Sequence, residues 1–213
     1  MSQVVDLHAT AFGDQGGDTV VLLHGLLGSG RNLAARARSL SDRWRVIVPD
    51  LRNHGESPWV DEMNYPAMVA DVVRLLDRNG VDRAAVVGHS MGGKVAQAMA
   101  LTHPDRVLGM VVVDIALRRY EHSFAHLIDA MLAVPLARCT RRSDVDRYLA
   151  AMVPDRRTRL FLLTNLARDT RGNWCWRPNL RVLLEQGDAI AAGVCTVAPC
   201  DTPRDLAALY LCG

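Results

Sequence analysis

Ser90 lies in Gly88-His89-Ser90-Met91-Gly92-Gly93, directly between an apolar run of β type and a helical run. A serine held at a strand-to-helix turn takes strained backbone angles that push its hydroxyl clear of the sheet. Glycines on either side remove the side chains that would collide there. Such a hydroxyl suits nucleophilic attack on an acyl carbon; the rival reading of the same residues is a glycine-rich turn with an incidental serine. Acyl transfer places negative charge on the carbonyl oxygen, which preorganised N–H groups stabilise. The N–H of Met91, next after the serine, and the N–H of Leu26, in His24-Gly25-Leu26-Leu27-Gly28-Ser29 after an earlier apolar run, are the candidate oxyanion pair. His24 is open to two readings, a base or a loop holder acting through hydrogen bonds.

A serine hydroxyl is a weak nucleophile until a base takes its proton and an acid orients that base. Asp114, at the end of the apolar run Val107 to Val113, is the candidate acid, although a strand-end aspartate also serves to cap a turn. The histidines are His8, His24, His54, His89, His103, His122 and His126. His122 and His126, spaced by four on a candidate helix, either reach over Ser90 or sit together on a helix surface. In Asp50-Leu51-Arg52-Asn53-His54-Gly55-Glu56-Ser57, Asp50 offers Arg52 a carboxylate, and stapling of the loop is the role expected of both. Arg138, Arg141, Arg142, Arg147, Arg156, Arg157 and Arg159 interleave with Asp144, Asp146 and Asp155. They form either a basic rim for an anionic acyl donor or, as mixed charges more often do, a solvated helix face.

These residues need elements to hold them. Val4 to Thr10 and Thr19 to Leu23 read as strands around the turn Gly13 to Gly17, Asn32 to Leu40 as a helix, and Trp44 to Val48 as a buried strand. Asn64-Tyr65-Pro66 opens a helix that runs to about Asn79, with Gly80 beyond it. Arg83 to Val87 and Val107 to Val113 read as strands, and Met91 to Thr102 as a helix stopped before Pro104. Continuous apolar strands separated by helices describe a doubly wound α/β fold with a mostly parallel sheet. The chain divides into a core over 1–115, a helical cap without a strand pattern over 116–192, and a return to the sheet over 193–213, where Leu206 to Leu211 reads as a buried strand.

The chain's 213 residues are 49% hydrophobic, which suits one domain with a real core. No apolar run approaches the roughly 20 residues that span a bilayer. A net charge of +2 invites neither nucleic acid nor a membrane surface. Of 25 basic residues only Lys94 is a lysine. Cys139, Cys175, Cys195, Cys200 and Cys212 form no C-x-x-C pair, so the spacing implies no metal site or disulfide framework, and reduced thiols in a cytoplasmic protein are expected.

In order and spacing, His24 to Ser29, Asp50 to Ser57, Asn64-Tyr65-Pro66-Ala67-Met68 and Gly88 to Gly93 resemble the α/β-hydrolase superfamily, and within it the YbfF-type bacterial esterases. The resemblance implies an esterase or thioesterase acting on small acyl esters without a cofactor, with Ser90 as nucleophile. It places an aspartate at the Asp114 strand end near the active site. It also implies a catalytic histidine after an eighth strand, in a G-H-x-x-H-like loop, whereas no histidine here follows residue 126. The expectation is a chain truncated near the seventh strand, without the final strand and helix, and impaired in turnover. The alternative is a non-catalytic protein of hydrolase fold that binds acyl ligands or a partner.

Overall fold

Val20-Val21-Leu22 and Val46-Ile47-Val48 are buried without interruption, which happens only where helices cover both faces of a sheet. The computed structural model describes residues 3–14, 16–119, 124–194 and 206–211. Its elements are β1 (Ala9–Phe12), β2 (Thr19–Leu23), α1 (Gly30–Leu40), β3 (Arg45–Pro49), α2 (Tyr65–Arg78), β4 (Ala84–His89), α3 (Met91–Thr102) and β5 (Val107–Val113). They continue with α4 (Ala125–Leu132), α5 (Arg142–Ala150), α6 (Arg156–Leu162), β6 (Leu166–Arg168), β7 (Trp174–Trp176), α7 (Leu180–Glu185), α8 (Gly187–Ala191) and β8 (Ala207–Leu211).

Six strands form one sheet in the order β1-β3-β2-β4-β5-β8, parallel except for β1. Successive side chains on a strand point to opposite faces. Val20, Leu22, Val46 and Val48 therefore meet the α1 side through Ala37 and Leu33. Val21, Leu23 and Ile47 join Met68, Val72, Val95 and Met99 of α2 and α3 in the larger core. Local signals set the ends of α2. The Asn64 side chain accepts the Ala67 N–H at 2.9 Å, Pro66 sits in the first turn, and Gly80 at φ +64° follows the last. No helix among the described residues is long and apolar enough to cross a membrane.

Three expectations change. The strand expected over Val4 to Thr10 is short and late, Ala9–Phe12, because Val5 and Leu7 are buried in the core while the Val5 N–H bonds the Asp71 side chain instead of a strand. The cap does contain strands: β6 and β7 pair antiparallel, with the Arg168 guanidinium 3.6 Å above the Trp174 ring. β8 is not buried. It lies parallel to β5 at the sheet edge and is exposed at all five positions, Leu209 to 52%. Cys139 and Cys175 are free thiols, and Cys195, Cys200 and Cys212 lie outside the described residues.

Candidate active site

Parallel register brings the carboxyl ends of three strands to one edge. Leu23 pairs with Gly88 and His89 with Val113, so the loops carrying Leu26, Ser90 and Asp114 leave the sheet side by side. Open α/β sheets bind ligands at this edge. Ser90 sits at φ 50°, ψ −118°, a conformation that costs on the order of 1–3 kcal/mol and persists only where the surroundings enforce it. Its N–H donates to the Val113 carbonyl at 2.9 Å and its carbonyl accepts the Lys94 N–H at 3.1 Å. Glycine is needed on both sides of the turn. A Cβ on Gly88 would stand 2.2 Å from the Gly92 carbonyl oxygen, and one on Gly92 2.5 Å from the Leu23 carbonyl oxygen. Because backbone must move to admit it, Gly88→Ala is expected to lower the unfolding free energy by about 1–3 kcal/mol, read as a lower urea midpoint at unchanged m-value.

Ser90, Met91, Leu26 and Asp114, the four residues singled out by their motifs, line a single cavity of about 710 Å³. Its walls are largely apolar and include Ile115 after β5, Ile128 of α4 and Leu183 and Leu184 of α7. Met91 opens α3, whose leading N–H groups have no acceptor within the helix. Asp114 also has left-handed backbone, at φ 57°, and its N–H donates to the Leu211 carbonyl of β8 at 2.8 Å.

The histidines of the two loops are structural. His24 accepts the Leu51 N–H on Nε2 at 2.9 Å, so its Nδ1 carries the proton and donates to the Gly25 carbonyl at 2.8 Å. His54 accepts the Leu27 N–H on Nε2 at 3.2 Å and donates from Nδ1 to the Arg52 carbonyl at 2.9 Å. Their ring centroids are 5.1 Å apart. Burial holds His24 below the ordinary histidine range and, with His24 beside it, pushes His54 down to about 3. Both rings spend both nitrogens on backbone. His126 lies on α4 away from the cavity lining, His122 is outside the described residues, and no described residue lining the cavity is a histidine.

The loop after β3 is stapled, but not through the expected pair. The carboxylate that meets Arg52 is Asp71 of α2, bidentate at 2.6 and 2.8 Å. Asp50 instead accepts the backbone N–H groups of Gly30 and Glu56 at 2.7 and 2.8 Å and meets the His8 ring at 3.2 Å. None of the seven arginines of the cap run lines the cavity; Arg147 pairs with Asp144 and Arg159 with Asp146. The cavity arginine is Arg119, 2.7 Å from Asp188.

Two further cavity residues are buried and titratable, Tyr65, from the Asn64-Tyr65-Pro66 run, and Lys94. Burial raises the Tyr65 phenol above its usual range, and burial with Arg119 nearby lowers Lys94 to about 8. A lone lysine one helical turn beyond Ser90, in a chain otherwise committed to arginine, was the signal available for Lys94.

Comparison with known proteins agrees with this fold. The family model described as alpha/beta hydrolase fold matches residues 18–168. The chain is 41% identical over 191 residues to the sn-1-specific diacylglycerol lipase ABHD11 of Xenopus tropicalis, covering 85% of this chain and 60% of that one. It is 36% identical over 182 residues to Esterase YbfF of Escherichia coli, covering 83% and 68%. A solved structure titled "Marine microorganism esterase" superposes with a TM-score of 0.92 at 31% identity, over 98% of this chain and 81% of that one. The chain thus spans about three fifths of the length of the first of these relatives.

Proposed function

The chain belongs to the α/β-hydrolase fold family, and from that membership we propose that it is a serine hydrolase of carboxylesterase or thioesterase type, acting on small acyl esters through Ser90. One observation carries this reading: a serine held at φ 50° on the wall of an apolar cavity, beside Leu26 and Met91. Ser90 Oγ attacks the acyl carbon, the hydroxyl proton passes to a base, and the Leu26 and Met91 N–H groups receive the developing oxyanion. Asp114, on the neighbouring strand end, is the acid that would orient the base. Lipase and esterase relatives support ester bonds as the class cleaved.

Among the described residues no histidine lines the cavity, so none there takes the Ser90 proton. Loss of a triad member costs up to about a millionfold in turnover, so the 213-residue chain is proposed to turn over slowly. The same observation favours a second reading, an acyl-ligand binder without turnover. A fluorophosphonate is expected to label the chain slowly and at Ser90 alone, with Ser90→Ala unlabelled, as mapped by peptide mass spectrometry. Labelling at another residue would remove Ser90 from the mechanism. Rapid stoichiometric labelling would show that the chain does supply a base. Saturable acyl binding with neither labelling nor p-nitrophenyl ester hydrolysis would favour the second reading.

A further inference from the structure

The last carbonyls of a helix have no partner within it, and a cation or a hydroxyl brought to that end satisfies them. In α8 these carbonyls belong to Ile190, Ala191 and Ala192, and three consecutive ones are taken by two side chains from the core. The Tyr65 hydroxyl donates to the Ile190 carbonyl at 2.5 Å. The Lys94 ammonium donates to the Ala191 and Ala192 carbonyls at 3.0 and 2.5 Å. Both side chains are almost completely buried, at 1% and 2% exposure, and the ammonium stands 5.7 Å from the Tyr65 ring centroid. Tyr65 opens α2, and Lys94 lies one turn beyond Ser90 on α3. α8 is only five residues long and cannot hold itself in place. Its Ile190 and Ala191 nevertheless form part of the cavity wall shared with Ser90.

We propose that Tyr65 and Lys94 are positioning residues, a clamp that pins α8 to the helix behind Ser90 and so sets the length of acyl chain the cavity admits. The length claim rests on reading the cavity as an acyl site; the clamp itself does not. A lysine suits this place because its compact ammonium can serve two adjacent carbonyls from a thin stem. A guanidinium would bring five donors in a rigid plane to the same buried spot. This accounts for the one basic position of the chain that is not arginine.

The test compares the wild-type chain with Tyr65→Phe and Lys94→Met. Amide exchange over residues 187–192 is followed by mass spectrometry, and binding of butanoate, octanoate and hexadecanoate is followed by displacement of a polarity-sensitive fluorophore. Losing a hydrogen bond shifts an equilibrium by roughly five- to tenfold. Both variants are expected to speed exchange at 187–192 by about that factor and to shift affinity towards hexadecanoate over butanoate by a similar ratio. Tyr65→Phe removes one hydroxyl and no charge, so it reads the clamp even if Lys94→Met does not fold. Unchanged exchange in Tyr65→Phe would overturn the clamp. Faster exchange with an unchanged chain-length order would overturn its role in specificity. If the wild-type chain bound none of the three acids, the acyl reading and the length claim would fall together, while the exchange data would still decide the clamp.

Discussion

Asp71→Ala is expected to lower the unfolding free energy by about 3–5 kcal/mol, the range found when one partner of a buried ion pair is removed. Arg52 and Asp71 are both fully buried, and the substitution leaves the guanidinium without its counter-charge. It also strips the Val5 N–H of its acceptor, 2.8 Å away, so the N-terminal segment loses its anchor on α2. The remaining contacts of Arg52 are the carbonyls of Gln3, Glu62 and Ala67 and the partly exposed Glu62 carboxylate at 3.9 Å, none of which replaces a buried bidentate carboxylate. Urea unfolding followed by tryptophan fluorescence measures the loss. Asp71→Asn separates its parts, because the amide keeps an acceptor for Val5 but not the charge. A loss below about 1 kcal/mol in Asp71→Ala would mean that Arg52 finds water and that the pair is not structural.

Acid is expected to unfold the protein earlier than its carboxylates alone would require. Inside the fold His54 takes a proton only near pH 3, whereas in the unfolded chain it does so at about 6.5. A group with a depressed folded pKa of this kind binds protons in the unfolded state first. Its contribution is therefore complete above pH 6.5 and is lost as pH falls towards 3. Each unit in that window costs about 1.4 kcal/mol, so roughly 3 kcal/mol is gone by pH 4, with His24 acting in the same direction. Urea midpoints at pH 7, 6, 5 and 4 read the slope, and His54→Gln is expected to flatten it. A midpoint that stays level between pH 6.5 and 4.5 would contradict the neutral, backbone-bonded ring. Protonating Nε2 of His54 expels the Leu27 N–H, and Leu27 adjoins Leu26, one of the two proposed oxyanion donors.

What could be read in advance divides by the range of the interaction. α3 occupies Met91–Thr102 as its boundaries predict, because the turn at Ser90 and the proline at 104 are local signals. The same holds for α2, with its Asn64 cap. The meeting of Ser90, Met91, Leu26 and Asp114 in one cavity was legible because their loops leave strands whose order follows from apolar pattern. The partner of Arg52 was not, since Asp50 is the nearer carboxylate in sequence and only packing of α2 on the sheet brings Asp71 closer. β6 and β7, three residues each, are too short for an alternation to show. The apolar run of β8 reads like any buried strand; its exposure depends on which neighbours flank it in space.

The hydrogen bond from the Asp114 N–H to the Leu211 carbonyl joins the orientation of a candidate catalytic acid to the docking of an edge strand. Exposed on every residue and paired on one side only, β8 has a low free energy of local opening compared with β2 or β3, which are buried throughout. Each opening releases the left-handed backbone of Asp114 while Ser90, held by Val113 and α3, keeps its geometry. Ser90 and Asp114 therefore belong to different cooperative units of the same sheet, and the fraction of molecules with both in place is set by the weaker of the two.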